Sequence, residues 1–308
     1  MLISVIIPHL NQEDHLRVGL EALHAQRGVA SDVEIIVVDN GSARLPERVC
    51  SGWPRVRLVS EPTPGPGPAR NRGVHEARGE ILAFIDADCR ADLGWLAAIE
   101  AAFEDEQTTI IGGDVRVGYA DPSRAAFLEP YESIYSYRNN EHIAEGFSGT
   151  GNLATLPSVM TAVGPFAGIE VAEDRDWGLR AGVAGYVIKY IPDMIVYHPA
   201  RRNFAELTWK WDRHIAHDYQ RIRPRPLGML RWLARAIIVA GSPLLELRTV
   251  LFSPRVSGAR ERMLAFLCLI AIRLYRGGAM FGVLLRGDAR KSSEAWNRGV
   301  RAGPEVHR

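Results

Sequence analysis

The first hundred residues of this 308-residue chain alternate between short apolar runs and segments with helical spacing. Such runs predict strands, and apolar positions three and four residues apart predict amphipathic helices. The predicted strands are residues 2–8, 33–38, 56–59 and 81–85, and the predicted helices are residues 13–26, 69–78 and 92–103. This alternation is typical of a parallel sheet with crossover helices, in which ligands bind beyond the carboxyl ends of the strands.

The sequence also predicts where several elements begin and end. Residues 61–68 are so rich in proline and glycine that regular structure is not expected there. Asp92 precedes a helical pattern and is its expected N-cap. Beyond residue 105 the pattern is mixed. It predicts strands at 110–117 and 186–197, helices at 121–140, 174–184 and 203–222, and a polar glycine turn at 149–152.

Two carboxylates, Asp86 and Asp88, follow the strand at 81–85. Side chains one residue apart lie on the same side of an extended backbone, so both can face one point beyond the strand end. Oxygen ligands of this kind suit Mg²⁺ or Mn²⁺. Asp39 ends another predicted strand and can reach the same crevice. An isolated Asp-x-Asp also fits a solvated turn, and the neighbouring motifs decide between the two interpretations.

The net charge of +1 conceals two parts of opposite charge. Residues 1–199 contain 16 Lys+Arg and 28 Asp+Glu, whereas residues 200–308 contain 21 and 8, so the net charges are −12 and +13. A basic segment can meet anionic lipid, a phosphorylated substrate or nucleic acid, or it can dock on the acidic part. Because the sequence has no nucleic-acid-binding module, no nucleic-acid partner is expected.

Cysteine usage and the first residues indicate the compartment. Cys50, Cys89 and Cys268 are scattered and odd in number, which argues against a disulfide framework or a zinc ribbon. Few cysteines fit a reducing, cytoplasmic setting. No basic segment precedes an apolar run at the start of the sequence, so a signal peptide is not expected.

The last hundred residues contain two apolar stretches, 231–247 and 263–285, which arginines interrupt. A spanning helix needs about 20 apolar residues with few charges, and neither stretch meets this condition cleanly. Two interpretations remain. The stretches are helices that lie in the membrane interface and make peripheral contact through residues 225–290, or they form an ordinary helical cap.

Five segments resemble the family 2 glycosyltransferases, inverting enzymes with the GT-A fold, in both order and spacing. The segments are SVIIP at 4–8 with Asn11, VVDNGS at 37–42, GPARNRG at 67–73, DAD at 86–88, and ED at 173–174 ahead of Trp177 and Arg180. The resemblance covers residues 3 to about 200. It implies an α/β fold with a Rossmann-like mixed sheet flanked by helices. The implied domains are 1–205, with a nucleotide-binding half (1–105) and an acceptor half (106–205), and a C-terminal helical extension (206–308).

The resemblance also implies a role for each matching residue. The implied nucleotide-sugar ligands are Pro8, Asn11, Asp39, Arg70, Asp86 and Ala87. Asp39 would hydrogen-bond the base, and Arg70 opens a helix behind a glycine loop, where an anion is stabilised. Asp88, with Asp86 nearby, would hold Mn²⁺ or Mg²⁺. His198 matches a histidine that some family members use as a further metal ligand.

On the acceptor side the resemblance implies that Asp174 is the general base. Glu173 is a substitute base or an acceptor ligand, and Gly151, Asn152 and Trp177 are acceptor residues. One base that activates one hydroxyl gives direct displacement and inversion. The two acids also fit a simpler interpretation, because acidic side chains stabilise the first turn of a helix.

These assignments imply an inverting, metal-dependent glycosyltransferase that works at the inner face of the cell membrane. A UDP-sugar is the expected donor, and a saccharide or lipid-linked saccharide of polysaccharide or glycolipid assembly is the expected acceptor. The family often has Thr-Tyr where this chain has His9-Leu10, so the aromatic residue that commonly covers the base is missing. The Gln-x-x-Arg-Trp signature of processive synthases is absent, which favours addition of a single sugar.

Two other classes remain as alternatives. A sugar nucleotidyltransferase would share a similar sheet and metal carboxylates, but it usually has a glycine-rich basic loop after the first strand, which this chain lacks. A catalytically decayed nucleotide-sugar-binding protein would have lost some of the carboxylates, which are all present here. A dinucleotide dehydrogenase is disfavoured, since no Gly-x-Gly-x-x-Gly follows the first strand.

Overall fold

The computed structural model describes residues 1–121 and 123–286; the rest of the predicted extension lies outside the described residues. The chain forms two compact units. The first contains Met1–Gly118 and Tyr137–Pro199, and the second contains Tyr119–Ser136 and the chain from Ala200 onward. The sequence placed residues 119–136 in the acceptor half because it followed chain order alone. The division of residues 1–205 into a nucleotide-binding half and an acceptor half remains a prediction.

The first unit is built on a mixed sheet. Its strands are β1 (Leu2–His9), β2 (Asp32–Asp39), β3 (Val56–Ser60), β4 (Ile81–Ile85), β5 (Arg90–Ala91), β6 (Ile110–Gly118), β7 (Asn152–Thr155) and β8 (Ile188–Pro199). Their order across the sheet is β3-β2-β1-β4-β7-β6-β8-β5. β1 to β4 pair in parallel, as do β6 and β8, whereas β7 is antiparallel to both its neighbours and β5 is antiparallel to β8.

Twelve α-helices are described in the two units together. Those of the first unit are α1 (Glu13–His24), α2 (Glu47–Cys50), α3 (Pro66–Glu76), α4 (Trp95–Ala102), α6 (Asn139–Ala144), α7 (Pro157–Val163) and α8 (Glu173–Val183). Those of the second are α5 (Glu129–Tyr135), α9 (Phe204–Ile222), α10 (Gly228–Gly241), α11 (Leu247–Phe252) and α12 (Gly258–Arg286), with a 3-10 turn at Ser242–Leu244.

Apolar side chains of the strands point alternately to the two faces of the sheet, and helices cover both faces. On β1, Val5 and Ile7 pack in one apolar cluster with Leu20 of α1. Ile6 points to the other face, where it joins a cluster that contains Trp177 of α8. Adjacent side chains of a strand point to opposite faces, and each large apolar side chain buried in this way contributes about 1.5–3 kcal/mol. The predicted α/β fold with a mixed sheet flanked by helices is therefore confirmed.

Several element boundaries differ from the sequence prediction, and three of the differences bear on the fold. Helix α3 begins at Pro66, inside the segment expected to be irregular, because proline is tolerated in the first turn of a helix. Helix α4 begins at Trp95 with Gly94 at its N-cap, and the Asp92 carboxylate lies ahead of it, where it accepts hydrogen bonds from the Gly94 N–H and the Tyr197 hydroxyl. The helix predicted over 121–140 is divided into α5 and α6, because Tyr137 has a φ of 53°, which no α-helix can contain.

Candidate active site

The carboxyl ends of β1, β2, β4 and β8 lie at one edge of the sheet. β7 is antiparallel to both β4 and β6, and β8 is parallel to β6, so β8 ends at the same edge as β4. Asp39 is the last residue of β2, Asp86 follows β4, and His198 is near the end of β8. The edge therefore brings together polar side chains that are far apart in the sequence.

Asp39 is buried and forms a pair with His9, the last residue of β1. The His9 Nδ1 lies 3.0 Å from Asp39 Oδ1, and the His9 Nε2 accepts a hydrogen bond from the Gln12 backbone N–H. The Nδ1 atom must therefore carry the proton and donate it to Asp39. Backbone N–H groups of Gly41 and Ser42 donate to Asp39 Oδ2. Burial alone would raise the pKa of Asp39, but the hydrogen bonds from Ser42 and His9 lower it.

The loop that follows β1 is fastened to the loop that follows β2. Asn11 has a φ of 54°, and its backbone N–H donates to Ser42 Oγ at 2.8 Å. Its side-chain oxygen accepts a hydrogen bond from the Ala43 N–H at 2.9 Å. Pro8 lies opposite Val38 in the β1–β2 register, so it stands beside the same loops. Both predicted nucleotide ligands are thus placed next to Asp39, although Asn11 uses its side chain to hold the loop.

Arg70 joins two of the predicted motifs. It is 3% exposed, and its terminal nitrogens donate to Asp86 Oδ1 at 2.6 Å and to Glu173 Oε1 at 2.8 Å. One N–H of each terminal nitrogen is therefore used within the protein, and Nε is buried with no hydrogen-bond partner among the described residues. The Arg70 guanidinium thus holds the Asp86 and Glu173 carboxylates in fixed positions.

Gly151 and Ala87 are placed differently from the sequence prediction. A Cβ added to Gly151 would lie 2.6 Å from Asp86 Oδ2, so the glycine allows the Asp86 carboxylate to approach the backbone. The Ala87 methyl is buried in the core beside Ile85. Gly151 therefore belongs to the surroundings of Asp86, and Ala87 can meet a ligand only through its backbone.

Asp88, Cys89 and His198 form a cluster that fits a divalent cation. One ligand atom of each lies within 4.8 Å of the others, and His198 Nε2 is 3.4 Å from Asp88 Oδ2. The three meet because β5 pairs Arg90 with Tyr197.

The protonation of His198 supports this fit. His198 Nδ1 lies 2.8 Å from the Pro199 carbonyl, which can only accept, so Nδ1 carries the proton. The Nε2 atom then faces the Asp88 carboxylate oxygen, an arrangement in which the two side chains could hold one metal ion. Burial, followed by the charges of Asp86 and Asp88, raises the pKa of the Cys89 thiol well above its usual value. The donors for a hard cation are therefore the carboxylate and the imidazole.

Asp174 lies in the first turn of α8, next to the Glu173 that Arg70 holds. Burial raises the pKa of Asp174, and the Glu173 charge raises it further, whereas the Arg175 backbone N–H and Arg70 lower it. The net effect is a pKa above the usual value of an aspartate, which is the direction expected for a general base. Asp174 Oδ1 accepts the Arg175 N–H at 2.7 Å.

Asn152 and Trp177, predicted as acceptor residues, are interior residues. Asn152 is 0% exposed; its amide nitrogen donates to the Asp114 and Met194 carbonyls, and its oxygen accepts from the Trp95 indole. Trp177 is 1% exposed and donates to the Gly164 carbonyl. Neither side chain has the exposed surface that contact with an acceptor requires, so both predictions are replaced by structural roles.

Sequence reasoning missed two residues at this edge. His9 was noted only as a departure from the family pattern. Its position at the end of β1, beside the end of β2 that carries Asp39, could have indicated that it belongs to the site. Tyr137 was missed entirely. Its hydroxyl lies 2.8 Å from His198 Nδ1, and its ring packs on the imidazole with the ring centroids 4.6 Å apart. A tyrosine inside a predicted helix gives no sign of this contact, which joins residues 61 positions apart.

Comparison with known proteins agrees with this geometry. The family model for glycosyl transferase family 2 matches residues 4–176, which is more than half of the chain. The protein is therefore a glycosyltransferase. The chain belongs to glycosyl transferase family 2.

Two relatives show how far the similarity extends. Glycosyltransferase AglE of Haloferax volcanii is 32% identical over 215 residues, which are 68% of this chain and 70% of AglE. The uncharacterized glycosyltransferase YibD of Escherichia coli is 38% identical over 90 residues, or 28% of this chain and 26% of YibD. The similarity to YibD is thus confined to about a quarter of that relative.

Solved structures share the fold at low sequence identity. A mannosyltransferase from Pyrobaculum calidifontis, in complex with GDP-Man and Mn²⁺, has a TM-score of 0.55 and 17% identity, over 92% of this chain and 86% of that one. TarS of S. aureus (residues 1–349), in complex with UDP-GlcNAc, has a TM-score of 0.53 and 15% identity, over 97% and 92%. These similarities show that this chain has the GT-A fold.

Proposed function

We propose that this enzyme moves a sugar from a nucleotide-diphosphate sugar to an acceptor hydroxyl, with a divalent metal and with inversion at the anomeric carbon. The observation that carries the proposal is the Arg70 bridge. It holds Asp86, at the predicted donor side, and Glu173, next to the predicted base, on one guanidinium. Donor and acceptor chemistry require this proximity, because the attacking oxygen must reach the sugar while the diphosphate leaves.

Asp174 is the proposed base. Its raised pKa lets it accept a proton from the acceptor hydroxyl near neutral pH, and Glu173 and Arg70 hold the turn that carries it. One base on one face of the sugar gives direct displacement and therefore inversion.

The proposed metal ligands are Asp88 and His198, with Asp86 nearby. Their oxygen and nitrogen donors suit Mn²⁺ or Mg²⁺. When bound, the ion would neutralise charge on the diphosphate leaving group. The Pro199 carbonyl and the Tyr137 hydroxyl orient the His198 ring from the other side.

Asp39 is the proposed residue at the nucleotide base. Its side chain is 2% exposed and accepts hydrogen bonds from His9, Gly41 and Ser42, so its proposed role is to hold the loops after β1 and β2 against which the base would lie. The two structural neighbours are complexes with a GDP-sugar and a UDP-sugar, and UDP remains the proposed carrier.

The proposed acceptor is a saccharide or a lipid-linked saccharide at the inner face of the cell membrane. The net charge of +13 on residues 200–308 supports this location, because a basic segment is attracted to an anionic lipid surface.

Replacing Asp174 by Asn tests the proposal. Loss of a general base lowers the rate by about 10²–10⁴-fold. We therefore expect kcat to fall by at least 100-fold while calorimetry shows nearly unchanged affinity for the donor. Asp176→Asn is the matched control, because it lies in the same helix and is bonded instead to Arg180.

Product analysis separates the proposal from the alternatives. Free nucleoside diphosphate supports glycosyl transfer, whereas pyrophosphate would indicate a nucleotidyltransferase. Full activity in Asp174→Asn would remove Asp174 from the base role.

A further inference from the structure

Helix α10 in the second unit has large apolar side chains on its outer as well as its inner side. Trp232, Ala236 and Val239 point inward and form an apolar cluster with α12. On the outer side Ile237 and Ile238 are each 65% exposed, and the helix also exposes Arg231. A helix with large apolar side chains on both sides is expected either inside a protein or against lipid.

Two arginines of α12 have partners inside the unit. In α12, Arg273 is bonded to Glu246, and the Arg276 guanidinium lies 3.5 Å from the centre of the Trp211 ring. These arginines argue against a helix that spans the bilayer. Because both have partners inside the unit, they do not oppose contact with the membrane interface.

The outer side of α12 repeats the pattern of α10. Its exposed large side chains are spaced by four or seven residues, which places them along one helical face; they are Met263, Leu267, Leu274, Phe281 and Leu285. Helix Gly258–Leu285 is also long and apolar enough to cross a membrane, although the core helix of a soluble protein can pass the same test. Inward charges and outward apolar side chains are the arrangement that lipid favours.

The segment between α10 and α12, residues 244–252, forms a corner that exposes large apolar side chains. Two adjacent pairs of large apolar side chains are exposed there; they are Leu244, Leu245, Leu251 and Phe252. Arg248 is exposed among them. Large apolar side chains with arginines beside them are typical of segments that enter the interface of an anionic bilayer.

Charge decides between a bilayer and a second copy of the chain as the partner. Residues 200–308 carry a net charge of +13, so two such faces would repel each other, whereas anionic lipid would attract them. By composition, residues 287–308 are poorly suited to cover these exposed apolar side chains, because eight of the 22 residues are charged and few are apolar.

We propose that the outer faces of α10 and α12 and the corner at 244–252 form a docking surface for an anionic lipid bilayer. The apolar side chains enter the hydrocarbon edge of the headgroup layer, and exposed arginines such as Arg248 bind lipid phosphates. None of the residues of this surface is among those proposed for glycosyl transfer. Vesicle binding needs neither donor nor acceptor, so its failure would leave the transfer proposal intact.

Vesicle flotation of the full chain tests the surface. The vesicles contain phosphatidylcholine with 30% or no phosphatidylglycerol, and each is used at low and high salt. Wild type should float with the anionic vesicles and bind those without phosphatidylglycerol at least tenfold less. Ile237→Glu/Ile238→Glu should lower binding to anionic vesicles at least tenfold. Leu244→Glu/Leu245→Glu should do the same at the corner.

Val183→Glu/Val187→Glu is the matched control. It adds the same two negative charges at apolar side chains of the first unit that are 92% and 78% exposed. It should bind vesicles as wild type does. Circular dichroism and the urea midpoint check that each variant folds, and having two test variants at separate places keeps the test decisive if one misfolds.

Several results would overturn the proposal. Wild type that floats with neither vesicle would do so, as would folded test variants that bind like the control. If wild type is dimeric without lipid, Ile237→Glu/Ile238→Glu is monomeric and neither binds vesicles, the surface is a contact between two copies instead.

Discussion

At the scale of residues, Arg70 determines how the site is assembled. Its guanidinium reaches Asp86, 16 positions away in the sequence, and Glu173, 103 positions away. A planar fork can bind two carboxylates at once, and a lysine ammonium offers no such fixed geometry. The resemblance identified Arg70 as a functional residue, but its partners could be known only from the fold.

Arg70→Lys should therefore reduce both stability and turnover. Loss of one charge-assisted hydrogen bond in a buried setting costs about 2 kcal/mol. The freed carboxylate also loosens the turn that carries Asp174, and a displacement of this kind can lower kcat about 100-fold. Urea denaturation and steady-state kinetics measure the two effects.

Arg72→Lys is the matched control for this substitution. Arg72 lies in the same helix and pairs with Glu76 at the surface, where an ion pair contributes less than about 1 kcal/mol. Equal losses in the two variants would contradict the bridging role of Arg70.

The raised pKa of Asp174 leads to a prediction about pH. Transfer needs the ionised carboxylate, so kcat/KM should fall as the pH drops through a pKa above the ordinary value of about 4. Glu173→Gln removes a like charge and frees Arg70, and both changes lower the pKa of Asp174. The acid limb of the pH profile should therefore move to lower pH.

Glu170→Gln provides the control, because Glu170 is an exposed acid three residues earlier in the chain. Its acid limb should match that of wild type. An acid limb that stays in place or moves to higher pH in Glu173→Gln would show that the Glu173 charge does not act on the base.

At the scale of elements, Asn152 holds an irregular place in the sheet. The β6–β8 register shifts between Gly113 and Asp114. Asn152 donates to the carbonyls of Asp114 and Met194 at this point and accepts from the Trp95 indole. A single buried amide thus bonds two backbone carbonyls at the register shift and one indole N–H.

Asn152→Ala should destabilise the protein by about 3 kcal/mol or more, because each unsatisfied buried polar group costs about 1–3 kcal/mol. Urea denaturation of the full chain measures the loss. The exposed Asn140 provides a matched control, and Asn140→Ala should change stability by less than about 0.5 kcal/mol. A loss in Asn152→Ala no greater than in that control would contradict this structural role.

The sequence predicted long elements well and short ones poorly. The strand at 81–85 was predicted to the residue, because a continuous apolar run marks a buried strand. Strand β7 was missed: it has four residues, begins at Asn152 and follows glycines, so it looked like a turn. The motif order supplied most of the candidate site, but not the Arg70 bridge or the contact of Tyr137 with His198. Those depend on how distant segments pack, which no local pattern encodes.

At the scale of the whole molecule, an anionic donor must bind to an acidic part of the chain. Residues 1–199 have a net charge of −12, and three of their acidic residues, Asp39, Asp86 and Asp88, lie at the site edge. The one buried arginine described at this edge, Arg70, is already neutralised by two carboxylates. A sugar diphosphate would be repelled unless a cation binds with it, so binding of metal and donor should be linked.

Thermal unfolding with metal and nucleotide, alone and together, measures this linkage. A ligand at 100 times its Kd stabilises the folded state by about 2.7 kcal/mol. We therefore expect a rise in Tm when UDP and Mn²⁺ are present together that exceeds the sum of their separate effects, and we expect EDTA to abolish it. Asp88→Asn and His198→Ala should each remove most of the excess, whereas His75→Ala, an exposed histidine, should keep it. Full stabilisation by UDP in EDTA would show that this edge binds the nucleotide without a metal, and the roles proposed for Asp88 and His198 would be wrong.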